Sequence, residues 1–201
     1  MSNPEYVKVD NKLYKINTDF RVAIECNKIA QDTKISDFER AMAIIYLLFG
    51  EDGLECTKMD KLLELGVRYI NISKDISKQP KNNSDNKFEM DISKCEGIIR
   101  SSFKFDYNYD PYELEYLHWY DFYNDLENLS TSEFGTCCIF NRINSILNED
   151  AGKIKNSKDS RKLLDLQEEL KEKYCVIKEK TMTKEQEKSA REFYKSLGID
   201  I

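Results

Sequence analysis

The sequence predicts a mainly α fold, a helical bundle of about seven to eight helices in one or two lobes behind a small N-terminal β-hairpin. Three observations lead there. Apolar residues recur at three- and four-residue spacings along most of the chain. Ser, Thr and Asp caps precede many of those periodic runs, several with an acidic or amide partner three residues on. Alternation of the strand type is confined to the first sixteen residues.

Each element has its own local cause. Tyr6-Val7-Lys8-Val9 and Leu13-Tyr14-Lys15-Ile16 flank Asp10-Asn11-Lys12 and read as a hairpin, which must lean on helices because two strands alone are marginal. Thr18 or Asp19 caps a first helix to about Gln31, with Phe20, Ala23, Ile24, Asn27 and Ala30 on one side. Ser36 with Glu39 forms a capping box for a second, apolar nearly all round and therefore expected at the centre of its bundle. Thr57 opens a third, with Met59, Leu62, Leu63 and Leu65, stopping or bending near Gly66 or shortly after Ile70.

The stretch 73–87 holds one large apolar residue among turn formers and reads as a flexible linker, which divides the chain into 1–72, a hairpin plus three helices, and 88–201, a helical unit. Two lobes and two halves of one bundle both fit that division. The second unit begins with Phe88 to Phe105 and its Ile92, Cys95, Ile98, Ile99, Ser102 stripe. An aromatic helix follows from Pro111, capped by Asp110, and runs towards Leu129. Thr131 or Ser132 caps a helix carrying Phe134, Cys138, Ile139, Ile143, Ile146 and Leu147; Ala151 to Ser157 is a loop. Asp159 to about Lys173 is amphipathic through Leu163, Leu166, Leu170 and Tyr174, and Thr183 with Gln186 caps a short last helix with Ala190, Phe193 and Leu197.

The chain has 201 residues, 34% of them charged, with a mean hydropathy of -0.65. Its longest apolar run, Ala41 to Phe49, is far short of the roughly 20 residues a membrane helix needs. No basic and apolar signal segment opens the chain, so it is expected in the cytoplasm of the cell that makes it. Six cysteines without a C-x-x-C pair, and one histidine, supply no zinc cluster and read as reduced thiols. Residues 85–133 carry 4 basic and 12 acidic side chains, which places the whole excess negative charge there and disfavours nucleic acid.

That same region holds the single Trp, the single His and six of the twelve Tyr, between Asp106 and Leu129. On a continuous helix Tyr112, Tyr116, Trp119, Tyr123 and Leu126 share one face, and Glu115, His118, Asp121, Asp125 and Asn128 another. Glu115-x-x-His118 has the spacing of helical di-iron sites, but such a site needs a second motif and two more carboxylates. A solvated pairing of His118 with Glu115 or Asp121 is the simpler reading. Cys137 and Cys138 read as small buried residues, since His118 is the sole ordinary base for a nucleophile. No glycine-rich segment matches a phosphate loop. Neither catalysis nor any cofactor or metal is expected. Tyr112, Tyr116, Trp119, Phe122 and Tyr123 are the candidate protein-binding residues, their rings shared between core and partner.

Ile98-Ile-Arg-Ser-Ser-Phe103, Asp106-Tyr107, Leu117-His-Trp-Tyr-Asp-Phe122 with Leu126 and Leu129, and Arg142 resemble the bacteriophage gene-product-fifteen family of tail modules in phages and prophages of Gram-positive bacteria. Asp19-Phe-Arg21 and the Phe49 end of the second helix also look like that family, and the resemblance covers most of residues 15–175. Tyr120 stands where a second Trp is common, and the Asn-rich linker and last helix are peculiar to this chain. The resemblance implies a non-enzymatic assembly factor of a bacterial host's cytoplasm. It would bind the tape-measure protein and recruit major tail (tube) protein, with a neighbouring tail assembly chaperone as a further partner, and would be absent from the finished tail. The rival expectation is a minor tail or connector protein retained in the virion.

Overall fold

The computed structural model describes residues 3–71, 90–131, 137–154 and 156–175. Strands β1 (Tyr6–Val9) and β2 (Lys12–Lys15) pair antiparallel, Val9 opposite Lys12 across the turn at Asp10 and Asn11. Three helices follow: α1 (Phe20–Gln31), α2 (Asp37–Leu54) and α3 (Met59–Ile70). After residue 90 come a 3-10 turn at Ile92–Lys94, α4 (Glu96–Tyr107), a second 3-10 turn at Pro111–Glu113, α5 (Trp119–Glu127), α6 (Ile139–Leu147) and α7 (Ser157–Tyr174). No helix among the described residues is long and apolar enough to cross a membrane. The linker at 73–87 and the last helix from Thr183 lie outside the described residues.

The early caps are where the sequence places them. The Asp19 carboxylate accepts from Arg21 N, and Ser36 with Glu39 exchange both bonds of a capping box. Helix α2 packs on α1, α3 and β2, but it is not enclosed: Phe38 is 72% and Tyr46 53% exposed. An apolar circumference therefore exceeds what its three neighbours cover. Near its end α2 breaks at Gly50, whose φ of 65° and ψ of -153° suit only a residue without Cβ, while Leu48 C=O accepts from Asn17 N at 2.7 Å. Gly66 does not end α3. A Cβ there would stand 2.8 Å from Leu48 Cδ1, so its role is the close approach of α2 and α3.

The two sequence segments share one hydrophobic core, so they are halves of one bundle. Phe20, Leu48 and Leu62 of the first half are fully buried with Ile99, Phe103, Trp119, Phe122 and Leu147 of the second. Of the helix expected over Phe88 to Phe105, residues 88 and 89 lie outside the described residues and the rest is two pieces, because Asp91 caps the 3-10 turn and the chain bends at Cys95 before α4. Helix α6 starts at Ile139, capped by Cys138 Sγ, which accepts from Asn141 N; the expected continuous helix from a cap at Thr131 or Ser132 is ruled out by the non-helical Cys137 and Cys138, and 132–136 are outside the described residues. Cys138 is buried as expected, though as a cap and not on a helix face. Helix α7 is anchored by its one buried polar side chain: Gln167 Nε2 donates at 2.8 Å to Ile146 and Glu149 C=O, where the chain leaves the end of α6. Its other end is tied to Met90–Lys94 by Asp91 N to Tyr174 O and Lys94 Nζ to Cys175 O.

Glycine substitutions separate backbone strain from packing. Gly50→Ala meets no atom within 4 Å yet should lose about 1–3 kcal/mol to its positive φ, whereas Gly97→Ala, equally unobstructed inside α4, should be neutral or gain up to about 1 kcal/mol. Urea unfolding of the two variants checks this; equal effects would refute the strain at Gly50.

Candidate functional site: the Asp110 to Leu129 segment

Asp110 caps Tyr112 N as the sequence requires, but the helix it starts is a single 3-10 turn. Leu114 to His118 is extended or irregular, and the helix proper begins at Trp119. The reason lies in α1. Phe20 N donates to Leu117 O at 3.0 Å and Trp119 N donates to Thr18 O at 2.8 Å, a two-residue antiparallel bridge centred on Asp19 and His118. Each helix thus gives its first N–H to the residue that precedes the other's cap. His118 completes the joint as the cap of α5, its Nδ1 accepting from Tyr120 N at 3.0 Å.

The continuous aromatic face is therefore a correction, and so is the Glu-x-x-His motif. Glu115 and His118 do not share a helix, and His118 is buried instead of lying in a solvated ion pair. With Nδ1 accepting, the hydrogen-bond network places the ring hydrogen on Nε2. Among the described residues no group of three or more His, Cys, Asp or Glu is arranged to hold a metal ion.

Of the five candidate binding residues, Trp119 is 1% and Phe122 0% exposed: both are core. Trp119 Nε1 donates to Ile70 O at 3.1 Å, and the Phe122 ring stacks on Phe20 at 4.3 Å and on Phe103 at 5.5 Å. Tyr112 and Tyr123 are half-buried, Tyr112 edge-on to Phe20 and under the Arg100 guanidinium. Tyr116 alone stands out, 54% exposed, its hydroxyl sharing a 2.6 Å hydrogen bond with Thr18. The periodicity that joined these rings in sequence runs across the break at Leu114.

Arg21 holds that break in place. Its Nε and Nη2 take the two oxygens of Asp19 at 2.8 and 2.6 Å, while Nη1 and Nη2 reach Leu114 O and Glu115 O at 3.0 and 2.8 Å. Asp19-Phe-Arg21 is accordingly one device: a cap, a core ring and a clamp. On the far side, Asp110 is buried between Arg100 and Lys104, at 3.0 and 3.1 Å. Burial opposes its ionisation, but Lys104, the Tyr112 N–H and Arg100 outweigh it and hold the carboxyl below the usual Asp range. Tyr107 and Tyr109 donate to the Asp125 carbonyl and carboxylate at 2.7 and 2.5 Å, and Asp106 accepts from Ser130 N at 2.8 Å. Ser102 Oγ, donating to Ile98 O and accepting from Phe140 N, ties α4 to the start of α6. Sequence reasoning missed the roles of Thr18, Arg21 and Ile70; of these, only the Asp-Phe-Arg run after a cap carried a local signal.

Fold and site together define a small helical protein whose aromatic signature builds its own core around a joint between two helix N-termini. The chain belongs to the bacteriophage Gp15 protein family, whose model matches residues 2–176. No curated protein and no solved structure matches it.

Two variants distinguish core from surface here. Phe122→Ala should lose about 3–5 kcal/mol, and Tyr116→Ala no more than about 1 kcal/mol, by chemical denaturation; equal losses would return Tyr116 to the core. Asp110 gives a pH signature. Its folded pKa lies below the ordinary value of about 3.9, so its stabilising effect is present above that value and lost as pH falls through the folded one. Asp110→Asn should flatten the loss of stability below about pH 4 relative to the parent; parallel curves would show that the Asp110 pairing adds nothing.

Proposed function

We propose that this phage protein is a tail assembly chaperone, which binds the tape-measure protein and/or recruits major tail (tube) subunits to it during assembly of a long non-contractile tail, alongside a neighbouring tail assembly chaperone. The observation that carries the reading is the family match across residues 2–176. Physical support comes from the surface. Phe38, Tyr46, Phe105 and Tyr116 are exposed on a chain of net charge -6, so apolar contact area is offered within a soluble acidic exterior. A long helical partner that exposes apolar stripes before assembly is the kind of protein such a surface would cover, by a helix laid against it.

Co-expression tests the reading directly. The tape-measure protein should gain solubility and co-purify when this chain is present, and the chain should be missing from purified virions by mass spectrometry. Recovery in virions at the level of a tail subunit would make it a structural tail or connector protein, and failure to bind either tail protein would remove the chaperone reading.

A further inference from the structure

Ion pairing divides the charge of residues 90–131 unevenly. Its three Lys and Arg side chains are all engaged on the α4 side: Lys94 with Asp91, Arg100 with Glu96 and Asp110, Lys104 with Asp110 and Glu113. After Lys104 no Lys or Arg follows until Arg142. Glu115, Asp121, Asp125 and Glu127 enter none of the ion pairs found among the described residues. Four carboxylates without an ion pair thus lie past Glu113, Glu115 and Asp121 among them exposed, while the Arg21 guanidinium beside the Leu114 and Glu115 carbonyls is paired with Asp19.

Apolar surface stands at the same place. Leu114, 37% exposed, and Tyr116 project from a backbone that Arg21 and Thr18 already hold, so a partner meets an ordered shelf. Asp121 is positioned by the Asn3 side-chain amide at 3.0 Å. The Tyr69 hydroxyl is more than nine-tenths buried and has no hydrogen-bond partner, and its ring stacks on Tyr120 at 5.2 Å. After burial itself, the groups that act on this hydroxyl are Tyr120, Tyr116 and Asp121, so it belongs to the surroundings of the same surface.

We propose that Leu114, Tyr116, Glu115 and Asp121 form a docking surface for a basic amphipathic helix of a partner protein, whose apolar side chains cover Leu114 and Tyr116 and whose Lys or Arg side chains meet Glu115 and Asp121. Charge complementarity selects this occupant: an acidic segment or a nucleic acid would be repelled, and an uncharged one would leave the carboxylates unanswered. The inference rests on the protein-binding function proposed above and narrows its partner to a cationic helical segment.

Two probes separate this surface from the chaperone reading. One is the co-expressed tape-measure protein; the other is a synthetic helical peptide of Leu and Lys, with a Glu-for-Lys analogue as control. The full chain is compared with a Glu115→Lys, Asp121→Lys double variant, with Tyr116→Ala, and with a Glu168→Lys, Glu169→Lys pair on α7 that matches the change in net charge. Affinity for both probes should fall about tenfold or more in the first variant, fall in the second, weaken with added salt in the parent, and survive the α7 changes. If the double variant loses helical circular dichroism, Glu115→Gln with Asp121→Asn takes its place. Equal binding of the Lys peptide to parent and double variant, or equal loss in the α7 pair, overturns the surface whatever the tape-measure protein does. The expected peptide dependence without tape-measure binding leaves the surface standing and rejects the partner reading instead.

Discussion

The reciprocal bonds between the first turns of α1 and α5, Phe20 N to Leu117 O and Trp119 N to Thr18 O, are the constraint on which the rest of this structure depends. A helix N-terminus carries N–H groups with no intrahelical partner, and leaving them unpaired in a core is expensive. Here two such termini sit in the core together, and each answers the other's deficit. The arrangement also brings two positive dipole ends side by side, which the Asp19 carboxylate offsets by capping α1 and by sitting in the bridge opposite His118. Closing a loop of about a hundred residues to make this joint is entropically costly, yet that cost grows only with the logarithm of length. Stacked rings on both sides of the joint, Phe20 on Phe122 and Phe122 on Phe103, supply the compensating burial.

The broken course of the aromatic segment follows from the joint. For Trp119 N to reach Thr18 and Leu117 O to reach Phe20 N, the chain before Trp119 must be extended, and a helix from Pro111 to Leu129 could not supply that backbone. Leu114 and Glu115 then have carbonyls outside any helix, and Arg21 takes both while it is itself oriented by Asp19. The bulge that carries Tyr116 outward is thus a consequence of how α1 and α5 meet. Its order comes from α1, not from its own residues.

Legibility in the sequence tracks how local the cause is. Asp19, Ser36 with Glu39 and Asp110 bond within three residues, and all three caps could be read from the sequence. The capping of α5 by a histidine ring and of α6 by a thiol could not, because neither residue type announces a cap. The aromatic segment misled for a different reason: Tyr112, Tyr116 and Trp119 are spaced as on a helix, but the bonds that forbid the helix come from Thr18 and Phe20, far away in sequence. Of the two ends the sequence offers for α3, Gly66 and just past Ile70, the second holds; Gly66 acts as a contact, since the neighbour that requires it, Leu48, lies on another helix. Of the candidate site, Tyr116 survives as surface and Trp119 and Phe122 do not; periodicity alone cannot say which side of a stripe a missing turn will turn inward.

Many of the residues that resemble the Gp15 family's have a part in the joint or its surroundings. Asp19, Phe20 and Arg21 clamp it, Ser102 and Phe103 back it, Tyr107 fastens α4 to α5, and Leu117 to Phe122 pass through it. Tyr120 has a part as well, since its ring is what Tyr69 stacks on. A signature made of such residues specifies an architecture and leaves open what the architecture touches. The residues free to specify a partner are those the joint exposes without using their side chains: Leu114 and Glu115, held by their carbonyls alone, and Asp121, whose contact to Asn3 lies at the surface. Family membership and partner choice can therefore be carried by neighbouring positions of one short segment, because the clamp acts on backbone and leaves those side chains to solvent.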